Sequence, residues 1–390
     1  MKLAIHTTSH GRDASLTPKD CKREADIARR IFGKPTDKRR KPLYKLICQL
    51  KETFTDKDLE IVHFWVVKVA KGYKKGDIIL NKDEAKRVLE KGGRLRDIYT
   101  YTKPVRQILN QIAKVLDLKC EWQHGFHQGR GVHTAWTEIN KEAGYYYLVD
   151  LENAFCQISR GQLYQVLRRV FDLNKADSLW FSKVMCDHQG QMFQGNPITP
   201  AIFNILSARI GMILHKNTDY TLIQYADDLT IKSNKPFTSK NLGLIKKLIG
   251  YTGWKINKEK VHYIRKNRRF STLGITKEPD GSIHANKVTK LKKVVIWLNK
   301  IRQKEKSRTA SKEAEPYSRK TAKDGSRILL KAVIEGLNAW IYGVKLIEMG
   351  KFRDSRICQT NLINSSNKSH KTQHDPLPLI FLYETGALTK

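Results

Sequence analysis

Residues 221–231 read TLIQYADDLTI. Two β-favouring runs, Thr221 to Ile223 and Leu229 to Ile231, flank a tight turn. The turn carries two adjacent carboxylates, Asp227 and Asp228, behind Tyr225 and Ala226. Asp tolerates turn geometry, so a plain hairpin tip explains the local backbone. Hairpin tips, however, usually carry Gly or Asn between polar flanks. Here two like charges are pinned between apolar strands, where desolvation and repulsion are unfavourable unless a cation compensates.

A third acid has the same oddity. Residues 145–149, YYYLV, are an aromatic and apolar run long enough for one buried strand, and the run ends at Asp150. Three strands of one antiparallel sheet would bring Asp150, Asp227 and Asp228 to one edge. Two Mg²⁺ ions, with Mn²⁺ as an alternative, need such hard oxygen ligands, few from protein and the rest from substrate phosphates. One ion would activate a 3′-hydroxyl and the other would steady a leaving pyrophosphate. The basic loop KGGRLRDI at 91–98 would hold the triphosphate, its glycines allowing close approach to an anion. The chemistry expected is nucleotidyl transfer.

Composition agrees. The 390 residues allow two or three domains, and 40% hydrophobic content supports a real core. With 73 Lys+Arg against 38 Asp+Glu, the net charge of +35 predicts a polyanionic partner, nucleic acid first. No apolar run of membrane-spanning length occurs and the first residues lack a signal-like apolar stretch, so a cytoplasmic protein without a membrane partner is expected. Six scattered cysteines fit reduced thiols. Cys120, His124, His127 and His133 lie close in sequence without the spacing of a zinc module.

Along the chain, residues 1–70 read as a basic helical extension: a docking surface, an RNA-binding arm or plain structure. Thr17 and Pro18 open its first helix. A break is expected at 33–42, a second helix at 43–54, and a third after Thr55, with Leu59, Val62, Trp65 and Val66 on its apolar face. Helices follow near 83–90, at 104–118, from His133, over 161–184, from Pro200 and at 242–252. Strands are expected at 261–265 and, with a glycine kink, at 270–276, followed by an Asp280–Gly281 turn. From Lys287 the apolar period becomes helical. The segment 302–327 is Lys/Ser/Glu-rich, and 353–378 is polar before the apolar 379–383.

These motifs together resemble those of bacterial reverse transcriptases of the retron, group II intron and phage-defence kinds. Tyr225-Ala226-Asp227-Asp228 resembles the catalytic hairpin, and LVDLENAF at 148–155 the first carboxylate strand. QGNPITPAIFNIL at 194–206 is similar to the QG…SP…xN element, GFHQGRGVHTAW at 125–136 to GFRxGRS…A, and residues 92–112 to the fingers segment. INKEK at 256–260 and LGI at 273–275 resemble later palm elements. The matches run in family order over roughly residues 75–345.

The resemblance implies an α+β right-hand polymerase: fingers and a ferredoxin-like antiparallel palm over 71–278, a helical thumb over 282–350, and a tail over 351–390. It implies an RNA-directed DNA polymerase using dNTPs, a structured non-coding RNA template and nascent DNA, with an effector protein or a second copy as further partners. Asp150, Asp227 and Asp228 would be catalytic and metal-binding, Asp228 more peripherally. Phe155 would be the steric gate against a ribose 2′-hydroxyl. Arg94 and Arg96 would bind the triphosphate, Gln194 and Gly195 would line the nucleotide pocket, and Lys260 would stand near the pyrophosphate. Leu273 and Gly274 would form the primer-grip region. Two other readings stay open: a maturase-like RNA-binding protein on a polymerase scaffold, and a template-independent or protein-primed nucleotidyltransferase.

Overall fold

The computed structural model describes residues 16–286 except 60, 69, 75 and 188. The expected thumb helices beyond Lys287 and the tail lie outside these residues. The described chain divides into two compact units, one of residues 16–135 with 144–266, the other of residues 136–143 with 267–286.

The first unit opens with α1 (Pro18–Phe32), started by a capping box between Thr17 and Asp20. Then comes α2 (Asp37–Thr53). It begins six residues before the expected second helix and runs through Pro42, whose missing N–H would break an isolated helix. Packing overrides that cost: Leu43, Ile47 and Leu50 are fully buried in the main core. The expected third helix is instead a short 3₁₀ turn, Asp56–Leu59, followed by the strand β1 (Ile61–Lys68). Its IVHFWVVK sequence is β-branched and aromatic, and pairing decides between helix and strand. β1 lies between β2 (Ile78–Ile79) and, beyond α3 (Lys82–Glu90), β3 (Arg94–Thr100), both antiparallel to it. The boundary expected at residue 70 would cut this sheet, and α1 and α2 contribute to the same main core as the later elements, so residues 16–70 are packed into this unit.

Next come α4 (Lys103–Leu116), α5 (Val132–Asn140) and β4 (Tyr145–Asp150). The helix expected over 161–184 is two, α6 (Arg160–Arg169) and α7 (Lys175–Val184), separated by Asp172 in the left-handed region (φ 54°). Then follow α8 (Thr199–Asn217), β5 (Thr221–Tyr225), β6 (Asp228–Ser233), α9 (Ser239–Tyr251) and β7 (His262–Ile264). The four strands form one antiparallel sheet, ordered β5-β6-β4-β7. With α6 to α8 between β4 and β5, and α9 between β6 and β7, this is the split βαβ pattern of ferredoxin-like sheets. Helix α8 is buried along most of its length.

The second unit holds β8 (Phe270–Thr272), β9 (Ile275–Lys277) and β10 (Ile283–Ala285) in a three-stranded meander. The single kinked strand expected at 270–276 is thus a hairpin, because Leu273 and Gly274 both have positive φ (51° and 76°) and turn the chain. The expected thumb begins in this meander.

Candidate active site

The sheet register brings the acids together. Asp150, the last residue of β4, pairs with Asp228, the first of β6. Asp228 also pairs with Tyr225 across the hairpin, and the carbonyl of Asp227 accepts a 2.9 Å bond from Leu151 N–H. Asp150 is buried. Its carboxylate accepts from Lys260 Nζ at 2.8 Å and faces Asn257 Nδ2 at 3.4 Å, while Asn257 N–H bonds the Asp150 carbonyl.

Charge crowding shows in the titration. Burial, then the Asp150 charge, holds the Asp227 carboxyl above its usual range, although Lys260 and Arg96 oppose this. The Asp228 side chain reaches solvent, yet desolvation by the surrounding protein, followed by the charges of Asp227 and Asp150, pushes it up to about 7. These carboxylates resist sharing their negative charge and gain from a cation.

Among the described residues, no three His, Cys, Asp or Glu side chains form a complete metal cage. The donor set still fits a hard cation. It is carboxylate oxygen only, it sits at a strand end, and Mg²⁺ takes one or two protein carboxylates and completes its shell with substrate and water. Lys260 already supplies positive charge at Asp150, through a side chain 60% exposed and therefore free to move.

Two of the expected nucleotide-pocket residues, Phe155 and Arg96, are tied to this edge. Phe155 lies in a 3₁₀ turn, Ala154–Gln157, with its ring 5.2 Å from Phe203 and 5.9 Å from Phe126. Phe126, itself at φ 59°, reaches on to Tyr225 at 6.3 Å. An aromatic row thus links the expected gate to the acidic hairpin. Arg96 acts on both Asp227 and the half-buried Cys156 thiol, which desolvation pushes up to about 11 and the Gln194 side chain contacts. The Gln194 carbonyl accepts from Tyr99 N–H at 2.9 Å. Gly195 has φ 91°, and a Cβ there would fall 2.3 Å from the Tyr99 carbonyl, so only glycine fits. Arg94 is exposed two residues before Arg96 on the same strand face. Leu273 and Gly274 belong to the second unit.

The motif matches include Asn204 and His127 but give no sign that the two meet. A buried polar chain braces the hairpin from behind. Asp117 accepts from His127, which faces Asn204 Nδ2 at 3.3 Å, and Asn204 donates to the Gly125 carbonyl at 2.9 Å. Gln123 Nε2 bonds the Asn204 carbonyl at 2.7 Å, and Gln224 Nε2 reaches Ser207 Oγ and the Ala226 carbonyl. Gly125 packs so closely that a Cβ would lie 2.5 Å from Ala226 N. Of the Cys/His stretch at 120–133, His127 is thus engaged in this brace. Arg130 is likewise spent on the carbonyls of Cys120 and Gln123.

Residues 88–277 match the family described as reverse transcriptase (RNA-dependent DNA polymerase). Residues 88–277 thus form a reverse transcriptase domain, the domain of RNA-directed DNA polymerases, which are nucleotidyltransferases. No curated protein sequence matches it. Similar solved structures include telomerase from Candida albicans in complex with a TWJ fragment of telomeric RNA, at 13% identity and TM-score 0.41, covering 84% of this chain and 68% of that one. Apo telomerase from Candida tropicalis matches at 10% identity and TM-score 0.38, over 74% and 54% of the two chains. A form of it truncated from the C-terminal domain matches at 12% identity and TM-score 0.35, over 57% of each. Among the described residues, no helix is long and apolar enough to cross a membrane.

Proposed function

We propose that Asp150 and Asp227, with Asp228 beside them, hold two Mg²⁺ ions and extend a DNA 3′ end on an RNA template. The observation that carries this is the register placing Asp150 opposite Asp228 at the mouth of the hairpin. Bound there, the ions would activate the 3′-hydroxyl and neutralise charge on the leaving pyrophosphate, a role Mn²⁺ also fills. Arg94 and Arg96 receive the triphosphate, Arg96 being the one whose charge reaches Asp227. Lys260 exchanges Asp150 for a phosphate oxygen when substrate arrives. Gln194 and Gly195 form the pocket wall against β3. Phe155, propped between Phe126 and Phe203, blocks a ribose 2′-hydroxyl. Leu273 and Gly274 serve the primer strand.

The biological setting we infer is a compact bacterial enzyme, retron-like or antiphage, cytoplasmic, copying a dedicated structured RNA, with an effector protein or a second copy as partner. The ordered motifs at 92–112, 125–136 and 194–206 support it.

The test is dNTP incorporation on primed RNA with Mg²⁺. Asp227→Ala/Asp228→Ala is expected to abolish it, by at least about a thousandfold, the scale of losing preorganised charge stabilisation. Undiminished synthesis by that variant overturns the assignment. RNA binding with no wild-type synthesis would favour the maturase-like reading, and synthesis without template the transferase reading. Phe155→Ala should raise ribonucleotide use relative to dNTP by about tenfold or more, the scale of discrimination one side chain supplies in a pocket.

A further inference from the structure

A cluster of cations that the polymerase reaction does not use lies on α1 and α6. Lys19, Lys22, Arg23 and Arg30 are exposed and line one concavity of about 410 Å³ on α1. Their spacing keeps them on one side of the helix over about 16 Å of its axis. Beside it, Arg29 of α1 and Arg168 and Arg169 of α6 line a second concavity of about 400 Å³. A 2.6 Å ion pair between Arg169 and Asp26 joins the two. Seven cations line the two concavities with two carboxylates, Asp26 and Asp172, while Asp20 and Glu24 of α1 lie close by.

One neighbour shows that the local charge lacks a counterpart. Arg209 on α8 is half-buried, and its Nε is enclosed with no hydrogen-bond acceptor among the described residues. Burial, then the Arg23 charge, presses its guanidinium below the usual value, and the Glu24 carboxylate offsets this only in part. Two guanidinium groups that repel across a helix junction are relieved by an anion between them.

We propose that this α1–α6 face, with Arg209 behind it, is a second RNA-binding surface, taking the phosphate backbone of a base-paired RNA apart from the template strand being copied. Duplex RNA is read chiefly through phosphate and 2′-hydroxyl contacts, which suits a face of flexible lysines and arginines. The polymerase domain makes RNA the polyanion this chain meets. A lipid surface fits poorly, because none of the exposed large apolar side chains lies on α1 or α6.

The test uses the full chain and a blunt, fluorescently labelled RNA hairpin without a single-stranded template, followed by anisotropy across a salt titration. Lys19→Gln/Lys22→Gln/Arg23→Gln/Arg30→Gln is expected to weaken binding by about tenfold or more and to flatten the log–log salt slope by about 3. Incorporation on saturating short primed RNA should stay at the wild-type level. Should that variant not fold, Lys19→Gln/Lys22→Gln reads the same face, with a slope change of about 1–2. Wild-type affinity and slope in a folded variant overturn the proposal. So does a variant that keeps the hairpin RNA but loses phosphatidylserine vesicles. The readout is binding, so its failure is separate from failure of the polymerase assignment.

Discussion

The acidic hairpin and the β8–β9 hairpin share one backbone feature. Each turns through a non-glycine residue in the left-handed region, Ala226 at φ 53° and Leu273 at φ 51°. Such a residue costs on the order of 1 kcal/mol or more and persists only where its surroundings fix it. The surroundings differ. Ala226 is buried, its carbonyl is held by Gln224, and Gly125 presses on its amide from a polar chain that runs back to Asp117. Leu273 is followed by a permissive glycine and is half-buried. Its turn is held by Trp136 Nε1 to the Thr272 carbonyl (3.1 Å) and by Asn286 N–H to the Gly274 carbonyl (2.9 Å). The first turn is buried and pressed by neighbouring backbone, while the second is half-buried and held by these two hydrogen bonds. Strain is tightly enclosed where the charge is concentrated.

The largest expected effect comes from breaking that enclosure. Gly125→Ala places a methyl 2.5 Å from Ala226 N, a backbone atom that cannot swing aside. The hairpin must shift, and a displacement of about 1 Å costs about a hundredfold in rate when catalytic groups act by position. We expect kcat for incorporation to fall by about that factor, with unfolding free energy down by about 1–3 kcal/mol. A Gly125→Ala enzyme with wild-type kcat would show that the brace is dispensable and the contrast with the second hairpin empty.

Charge supplies the next test. Asp228 sits near 7 in metal-free protein, well above an unfolded carboxyl near 4. Below about pH 4 both states hold the proton and Asp228 makes no difference. As pH rises towards 7 the unfolded chain ionises first, so the native state loses stability across that window. Mg²⁺ favours the ionised form and should restore it. Thermal melts should therefore show Mg²⁺ stabilising the protein more at pH 8 than at pH 5, and Asp228→Asn should raise the metal-free melting temperature at pH 8 by about 2–4 °C. Melting that ignores both Mg²⁺ and Asp228→Asn would contradict the crowded-carboxylate account. The Leu273 hairpin, without titratable residues in its turn, predicts no such pH dependence of its own.

What the chain reveals before folding follows the same division. The acids were legible because like charges in apolar strands are anomalous, and β4, β5 and β6 because their apolar runs are short and bounded. Phe155 was singled out only through the family resemblance, by its place five residues after Asp150. The brace was not legible: Asn204 and His127 look like ordinary helix and loop residues until they meet across 77 positions. The Lys260 partner of Asp150 is likewise 110 residues away. Strand β1 was misread because IVHFWVV is apolar on both periods, and only pairing with β3 decides it. Non-local pairing and buried polar geometry are what a single sequence conceals.

The smallest effect separates strain from function at Leu273. Asn tolerates the left-handed region, and Asn-Gly is the preferred pair for a turn with two positive φ values. Leu273→Asn should therefore stabilise the protein by about 0.5–1 kcal/mol in urea unfolding, less whatever the half-buried leucine contributes. A natural turn that declines this gain has another use for the side chain. If that use is to hold the primer strand, Leu273→Asn raises stability while raising the KM for primer, with kcat for a pre-bound primer little changed. Lower stability with an unchanged KM would mean the leucine is kept for packing. The two hairpins would then differ in function as well as in enclosure.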